Sequence, residues 1–249
     1  MRTEYAKLDN LVGRADTGAQ YITQHEATAD AHATAYAELR EHGLLQLFEG
    51  TIEGTRAADG AGDNFITPNG LGEIVQHTFD EAGVELVCNR EATSLAVSAS
   101  ESGSLWEVSA SDGTKQTFDA VVLTAPVPDQ LRLLESSRID NWINADLKSK
   151  LAALEYSSRY AISLFFPAEE RNIFDSSISW TAKYINKEED DALVYVCYDS
   201  KKRGQREGAV SLMAHTSVPY GLRQLKAAAP HSEVTADLVQ RMQRLFPWM

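Results

Sequence analysis

The sequence predicts a mixed α/β fold, with alternating helices and strands in the first half and a mostly antiparallel β block in the second. Three observations predict it. Residues 64–88 read as strand, turn, helix and strand. From Tyr156 onward, successive segments alternate apolar and polar residues, as in an antiparallel sheet with one wet face. A closing segment then places Val234, Leu238, Met242 and Leu245 at helical spacing.

The elements follow in chain order. Asp16-Thr17-Gly18-Ala19-Gln20-Tyr21-Ile22-Thr23 reads as a tight loop, whose Gly-Ala pair lets backbone pass beside a flat, bulky group. His25 to Gly43 is helical, with Gly43 in the C-cap position. Leu44 to Phe48 is a short strand, and the Gly-, Ala- and Asp-rich stretch from Thr51 to Asp63 is a loop. Phe65 and Ile66 end a strand, Pro68-Asn69-Gly70 turns the chain, and Leu71 to Ala82 is a helix ended by Gly83. Val84 to Cys88 starts a further strand.

Leu105 to Val108 and Gln116 to Leu123 are strands joined through the hairpin signal Asp112-Gly113. The second runs into Ala120-Val121-Val122-Leu123, which has the look of a strand buried on both faces. Helices follow within Asp129 to Leu134 and between Asn144 and Leu154. Strands are then expected at Arg159–Phe166, Ile178–Ile185, Leu193–Tyr198 and Val210–Ser217, before a helix opened by Ser232 and Glu233. That order fits a nucleotide-binding domain of the Rossmann type with an inserted substrate-binding sheet. The division expected is residues 1–65 and 66–128 for the nucleotide-binding portion and the start of the substrate domain, and 129–249 for the substrate domain.

Composition narrows the function. The 249 residues are 43% hydrophobic and 24% charged, the balance of a soluble globular protein. The net charge of −13 repels phosphate backbones and argues against nucleic-acid binding. No apolar run is long enough to span a bilayer, and the first ten residues lack the apolar core of a signal peptide, so a cytoplasmic location is expected. Lys201-Lys202-Arg203 is the one compact basic cluster, read as a solvated turn or as an attractor of anionic small molecules. Cys88 and Cys197, each in an apolar run, are expected to be buried free thiols; no His/Cys spacing resembles a zinc site.

No Gly-x-Ser-x-Gly elbow and no His-Glu-x-x-His motif occurs. A cofactor that brings its own chemistry would explain that silence.

Several stretches together resemble the renalase branch of FAD-dependent amine-oxidase-like flavoproteins. They are DTGAQYIT (16–23), IEG (52–54), the N-F-x-x-P-x-G turn (64–70), LWEVS (105–109), FDAVVLTAPVP (118–128), YSSRYAISLFF (156–166), DSKKR (199–203) and HTSVPYG (215–221). The resemblance implies a two-domain oxidase that binds FAD. It implies oxidation of isomeric forms of NAD(P)H to NAD(P)+, with oxygen taking the electrons as hydrogen peroxide. The partner is then a small dinucleotide, with no nucleic acid or membrane; a flavin amine oxidase is the alternative. By matching positions, Gly18, Ala19, Gln20 and Tyr21 lie against the flavin. Ala92, where the family prefers Val, meets the adenine through its backbone. Thr124, Ala125 and Pro126 pass near the FAD. Tyr160 and His215 are the candidates for the substrate side, the alternative for Tyr160 being a sheet aromatic packed in the core.

Departures from the family pattern are as informative. The family opens on a buried strand and a Gly-x-Gly-x-x-Gly turn that holds the FAD pyrophosphate. Nothing in this sequence matches that turn, and Met1-Arg2-Thr3 resembles the interior of the family's next segment. The family also continues past the last helix to a Gly-Asp segment that closes the site. The expectation is an incomplete FAD-binding domain that holds FAD poorly, the remaining alternative being a non-catalytic remnant.

Overall fold

The computed structural model describes residues 3–8, 11–54, 62–100 and 103–249. The chain opens with β1 (Thr3–Leu8), β2 (Leu11–Asp16), β3 (Ile22–Thr23), α1 (Ala29–Glu41), β4 (Gln46–Leu47), β5 (Ile52–Glu53), β6 (Asn64–Ile66) and α2 (Gly72–Ala82). There follow β7 (Ala92–Ser100), β8 (Gly103–Ala110), β9 (Lys115–Phe118), α3 (Val127–Ser136) and α4 (Ala145–Ala152). The last third carries β10 (Ala161–Phe166), α5 (Arg171–Ser177), β11 (Ala182–Tyr184), β12 (Leu193–Tyr198), α6 (Asp199–Lys202), β13 (Val210–Thr216), α7 (Val218–Lys226) and α8 (His231–Leu245). The mixed α/β class read from the sequence is observed. No helix among the described residues is long and apolar enough to cross a membrane.

Two compact units divide these elements: the chain up to Gly83 with Ser157–Met249, and Val84–Tyr156. In the first, a five-stranded sheet runs in the order β10-β13-β12-β11-β5, antiparallel except for the parallel β11–β5 pair. Successive side chains of a strand point to opposite faces, and both central strands use that alternation fully. Val196 and Tyr198 of β12, with Leu212 and Ala214 of β13, join Phe174, Tyr220, Val234, Leu238 and Met242 of α5, α7 and α8 in one core. Tyr195, Cys197 and Met213 face the other way and pack with Ala182 and with Ala15 of the β1–β2 hairpin. Neither face of the central strands is wet, contrary to the alternating pattern, because the hairpin lies across the side that the pattern leaves for water.

Local signals explain most boundaries. Gly43 and Gly83 end α1 and α2 with φ of 68° and 61°, left-handed values that glycine adopts without strain. The Asn144 side chain accepts from the Leu147 N–H and starts α4. Ser217 likewise accepts from Tyr220 N and starts α7, a helix hidden in the sequence behind the strand-like HTSV. Gly221 on that helix lies against residue 158: a β-carbon there would stand 2.2 Å from the Ser158 carbonyl oxygen. The YSSR and HTSVPYG stretches therefore touch backbone to side, and only glycine fits.

The second unit is a meander, β7-β8-β9, with α3 fastened to β7 through Ser137 Oγ, which accepts from Leu95 N at 2.7 Å. Gly113, φ 83°, makes the expected hairpin turn. Two expectations fail here. Val84 to Cys88 forms no strand, and β9 ends at Phe118, leaving Val122 83% exposed. A strand needs a ladder partner, and among the described residues neither segment has one. Cys88 is consequently exposed, whereas Cys197 is a buried thiol pushed up by burial to about 12.

Leu238 is 2% exposed in the helix-covered core. Leu238→Ala is expected to cost about 2–5 kcal/mol in denaturant unfolding. Leu225→Ala, at a site 63% exposed, should stay within about 0.5 kcal/mol. Equal losses would mean that the core lies elsewhere.

Candidate functional site

The last residue of β2 sits at the centre of the best-buried polar cluster. Asp16 and Asp199 face Lys202 and Arg203, with all four side chains at most 2% exposed. Lys202 Nζ lies 2.6 Å from Asp199 Oδ1 and 3.1 Å from Asp16 Oδ2. Arg203 Nε donates to Asp199 Oδ2 at 2.6 Å, and its Nη2 makes an ionic contact with Asp16 at 2.5 Å. Arg203 Nη1 donates to the carbonyls of Thr67 and Pro68 at 2.8 and 3.0 Å, tying in the turn before α2. Thr3 Oγ1 donates to Asp16 Oδ1 at 2.8 Å. Gln20 donates to the carbonyls of Asp16 and Gly18 and accepts from Lys202.

Two anions and two cations make the cluster neutral, which is what lets it be buried. Burial alone would raise the Asp199 carboxyl, but Lys202 and Arg203 outweigh it and hold Asp199 below the ordinary range. Burial would lower Lys202; the surrounding negative charge outweighs that and raises it. The Lys-Lys-Arg run is therefore not a solvated turn at Lys202 and Arg203. The spacing held a signal: Asp199, Lys202 and Arg203 stand at i, i+3 and i+4, one face of a helical turn.

From this anchor, residues 17–21 cross the hairpin-covered face of the sheet. His215 on β13 donates from Nε2 to the Thr17 carbonyl at 3.0 Å, since a carbonyl can only accept. Burial pushes its imidazole below the ordinary histidine range, with the Thr17 bond pulling the other way. The Tyr21 and Tyr184 hydroxyls are 2.7 Å apart, and the Tyr184, Tyr195 and His215 rings follow one another at 5.1 and 6.0 Å. The Tyr195 hydroxyl is buried among them without an aligned hydrogen bond. Two cavities flank this region. One, of about 1180 Å³, is lined by Tyr184, Arg159, Lys183, Arg223, Glu53 and Asp191. The other, of about 650 Å³, is lined by Thr17, Gly18, Ser163 and Phe165 among others.

Gly18, Ala19, Gln20, Tyr21 and His215 thus come together, with Gln20 buried and Ala19 exposed. Tyr160 does not join them. Its ring packs at 6.4 Å from Tyr220 and 6.1 Å from His231, on the helix-covered face. Ala161 pairs with His215 in register, so Tyr160 one residue earlier points to the opposite side. Ala92 opens β7, and Thr124, Ala125 and Pro126 precede α3; all four are exposed residues of the second unit.

The family model described as flavin containing amine oxidoreductase matches residues 50–248. The chain belongs to that family. It is similar to renalase of Mus musculus, 29% identical over 235 residues, covering 94% of this chain and 64% of the mouse protein. The chain thus spans less than two thirds of that relative's length. A structure from Exiguobacterium sp. 255-15, described as a candidate protoporphyrinogen oxidase, shares the fold at a TM-score of 0.52 and 14% identity, over 89% of this chain and 42% of that one. A Pyrococcus furiosus structure aligns at 0.49 and 16% identity over 74% of this chain and 41% of its own.

Membership of the flavin-containing amine oxidoreductases implies a flavin cofactor. In the first unit, Gln20, Tyr21 and His215 spend their polar groups on protein partners. In the second, the Ala125 carbonyl accepts from Gln130, and residues 84–88 and 119–124 belong to no strand. The residues matched to flavin contacts are shared between the two units.

Asp199→Asn keeps the side-chain shape and leaves two buried cations facing one anion. A loss of about 3–5 kcal/mol is expected by denaturant unfolding, with part regained when Lys202→Met is added. Because Asp199 is held below its ordinary value, its stabilisation is full above about pH 4 and is lost as pH falls through the folded-state value. Asp199→Asn should flatten that acid limb of a melting-temperature profile. An unchanged limb would remove the cluster from the account.

Proposed function

We propose that the chain is part of a renalase-like FAD-dependent oxidoreductase that oxidises isomeric dihydro-NAD(P) to NAD(P)+, with oxygen as acceptor and hydrogen peroxide as product. The observation that carries the reading is the convergence of distant stretches. Thr17 and Tyr21, Ser158 and Arg159, and His215 through Gly221 gather on one sheet, through the Thr17–His215 bond, the Tyr21–Tyr184 bond and the Ser158–Gly221 approach. These are the stretches that carry the renalase resemblance, and the similarity to the mouse protein runs over 94% of the chain.

In this reading, the sheet face with Tyr184, Tyr195 and His215 lies on the substrate side. His215, kept neutral by burial, orients polar groups without adding charge. Arg159, Lys187 and Arg223, on a larger cavity that Glu53, Glu189, Asp190 and Asp191 also line, are offered as the partners of the phosphates of an anionic dinucleotide, while Lys183 there is paired with Glu189. Gly18, Ala19, Gln20, Tyr21, Ala92, Thr124, Ala125 and Pro126 are proposed as the FAD-contacting residues. One observation favours a second reading, a non-catalytic form that does not hold FAD: the exposed, unpaired segment around Val122.

Incubated with excess FAD, the 249-residue protein is expected to hold flavin weakly, its bound flavin absorbing at about 450 nm and being lost in part on desalting. It should then release peroxide with dihydronicotinamide isomers and not with simple amines. Peroxide from amines alone would move the chain to the amine oxidases. A colourless protein, beside a full-length relative that retains FAD, would overturn the enzyme reading and leave the non-catalytic form.

A further inference from the structure

Away from the sheet, the C-terminal end of α1 meets the middle of α2 through two imidazoles and a carboxylate. We infer that His42, His77 and Glu81 form a binding site for a divalent cation of the zinc class. One ligand atom from each lies within 4.8 Å of the other two, and the two rings are 4.5 Å apart between centroids. His77 and Glu81 stand four residues apart on α2, one turn above the other on the same face. His42 is the C-cap residue of α1, held there by the turn at Gly43.

Each imidazole turns one nitrogen to Glu38 and keeps a lone pair on the other. His42 Nδ1 lies 3.0 Å from the Glu38 carbonyl, which can only accept, so Nδ1 carries the proton and Nε2 keeps its lone pair. His77 Nε2 lies 3.3 Å from the Glu38 carboxylate, which leaves Nδ1 as its lone-pair nitrogen. A ligating histidine whose other nitrogen donates to a carbonyl or carboxylate is the usual arrangement at protein metal sites. Here one residue, Glu38, supplies both acceptors.

Two imidazoles and one carboxylate suit zinc, with water completing a tetrahedron. Ligand atoms at about 2.1 Å from such an ion stand about 3.4 Å apart, so the three groups draw together on binding, a movement open to the exposed Glu81 side chain. The net charge of −13 favours cation capture. Bound there, the ion would staple α1 to α2. His42 and His77 are far apart in sequence, so no short ligand spacing marks the site.

The test is calorimetric titration of the untagged, chelator-treated protein with zinc, followed by cobalt absorption and melting temperature. One saturable ion per chain is expected, with a tetrahedral cobalt spectrum and a raised melting temperature. His42→Ala, at an exposed position, and His77→Ala should each weaken binding about tenfold or more, and Glu38→Gln should also weaken it. His25→Ala should leave it unchanged. Circular dichroism of the metal-free variants confirms that they fold. Absence of saturable binding, or the affinity of the unmutated protein in either His42→Ala or His77→Ala, overturns the inference.

Discussion

The neutral four-charge cluster of Asp16, Asp199, Lys202 and Arg203 fixes where the first part of the chain meets the last. Asp16 ends β2, and Lys202 and Arg203 lie nearly 190 residues later, beside β12. A lone charge buried this deeply would cost several kcal/mol, so the cluster tolerates neither a missing member nor a shifted register. Its hydrogen bonds to the 67–68 carbonyls and to Thr3 and Gln20 extend the same constraint to the turn before α2, the first strand and the crossing loop. The 17–21 loop lies on the sheet because both of its flanks are held by this group.

What the loop crosses is decided by alternation. Along β12, Tyr195 and Cys197 face the hairpin side while Val196 and Tyr198 face the helices; β13 repeats the split with Met213 and His215 against Leu212 and Ala214. The sheet is thus a partition. One side is a dry core closed by α5, α7 and α8, and the other carries tyrosines and a neutral histidine next to charged cavities. Alternation along β10 and β13 is why Tyr160 and His215, both expected on the substrate side, part company in three dimensions.

The second unit shows the converse. Its meander forms because each strand finds a neighbour within the unit, and its apolar segments at 84–88 and 120–123 stay irregular because they find none among the described residues. The same β-branched composition gives a strand in one place and an exposed loop in another. Propensity describes what fits a half-buried pleated surface; the neighbour supplies the surface.

By itself the sequence determined the mixed α/β class, the helices ended by Gly43 and Gly83, the hairpin at Asp112-Gly113, the strands at 193–198 and 210–216, and the family resemblance. All rest on interactions between residues close in the chain, or on motifs readable as words. It also marked Gly18 to Tyr21 and His215, which the fold brings together. Only tertiary structure decided that Lys202 and Arg203 are buried, that α7 follows β13, that Cys88 is exposed, that the sheet is covered on both faces, and that two histidines far apart in sequence share Glu38. Each of these depends on which distant surface arrives opposite a residue, and burial, pairing and charge neutralisation are properties of the pair rather than of either member.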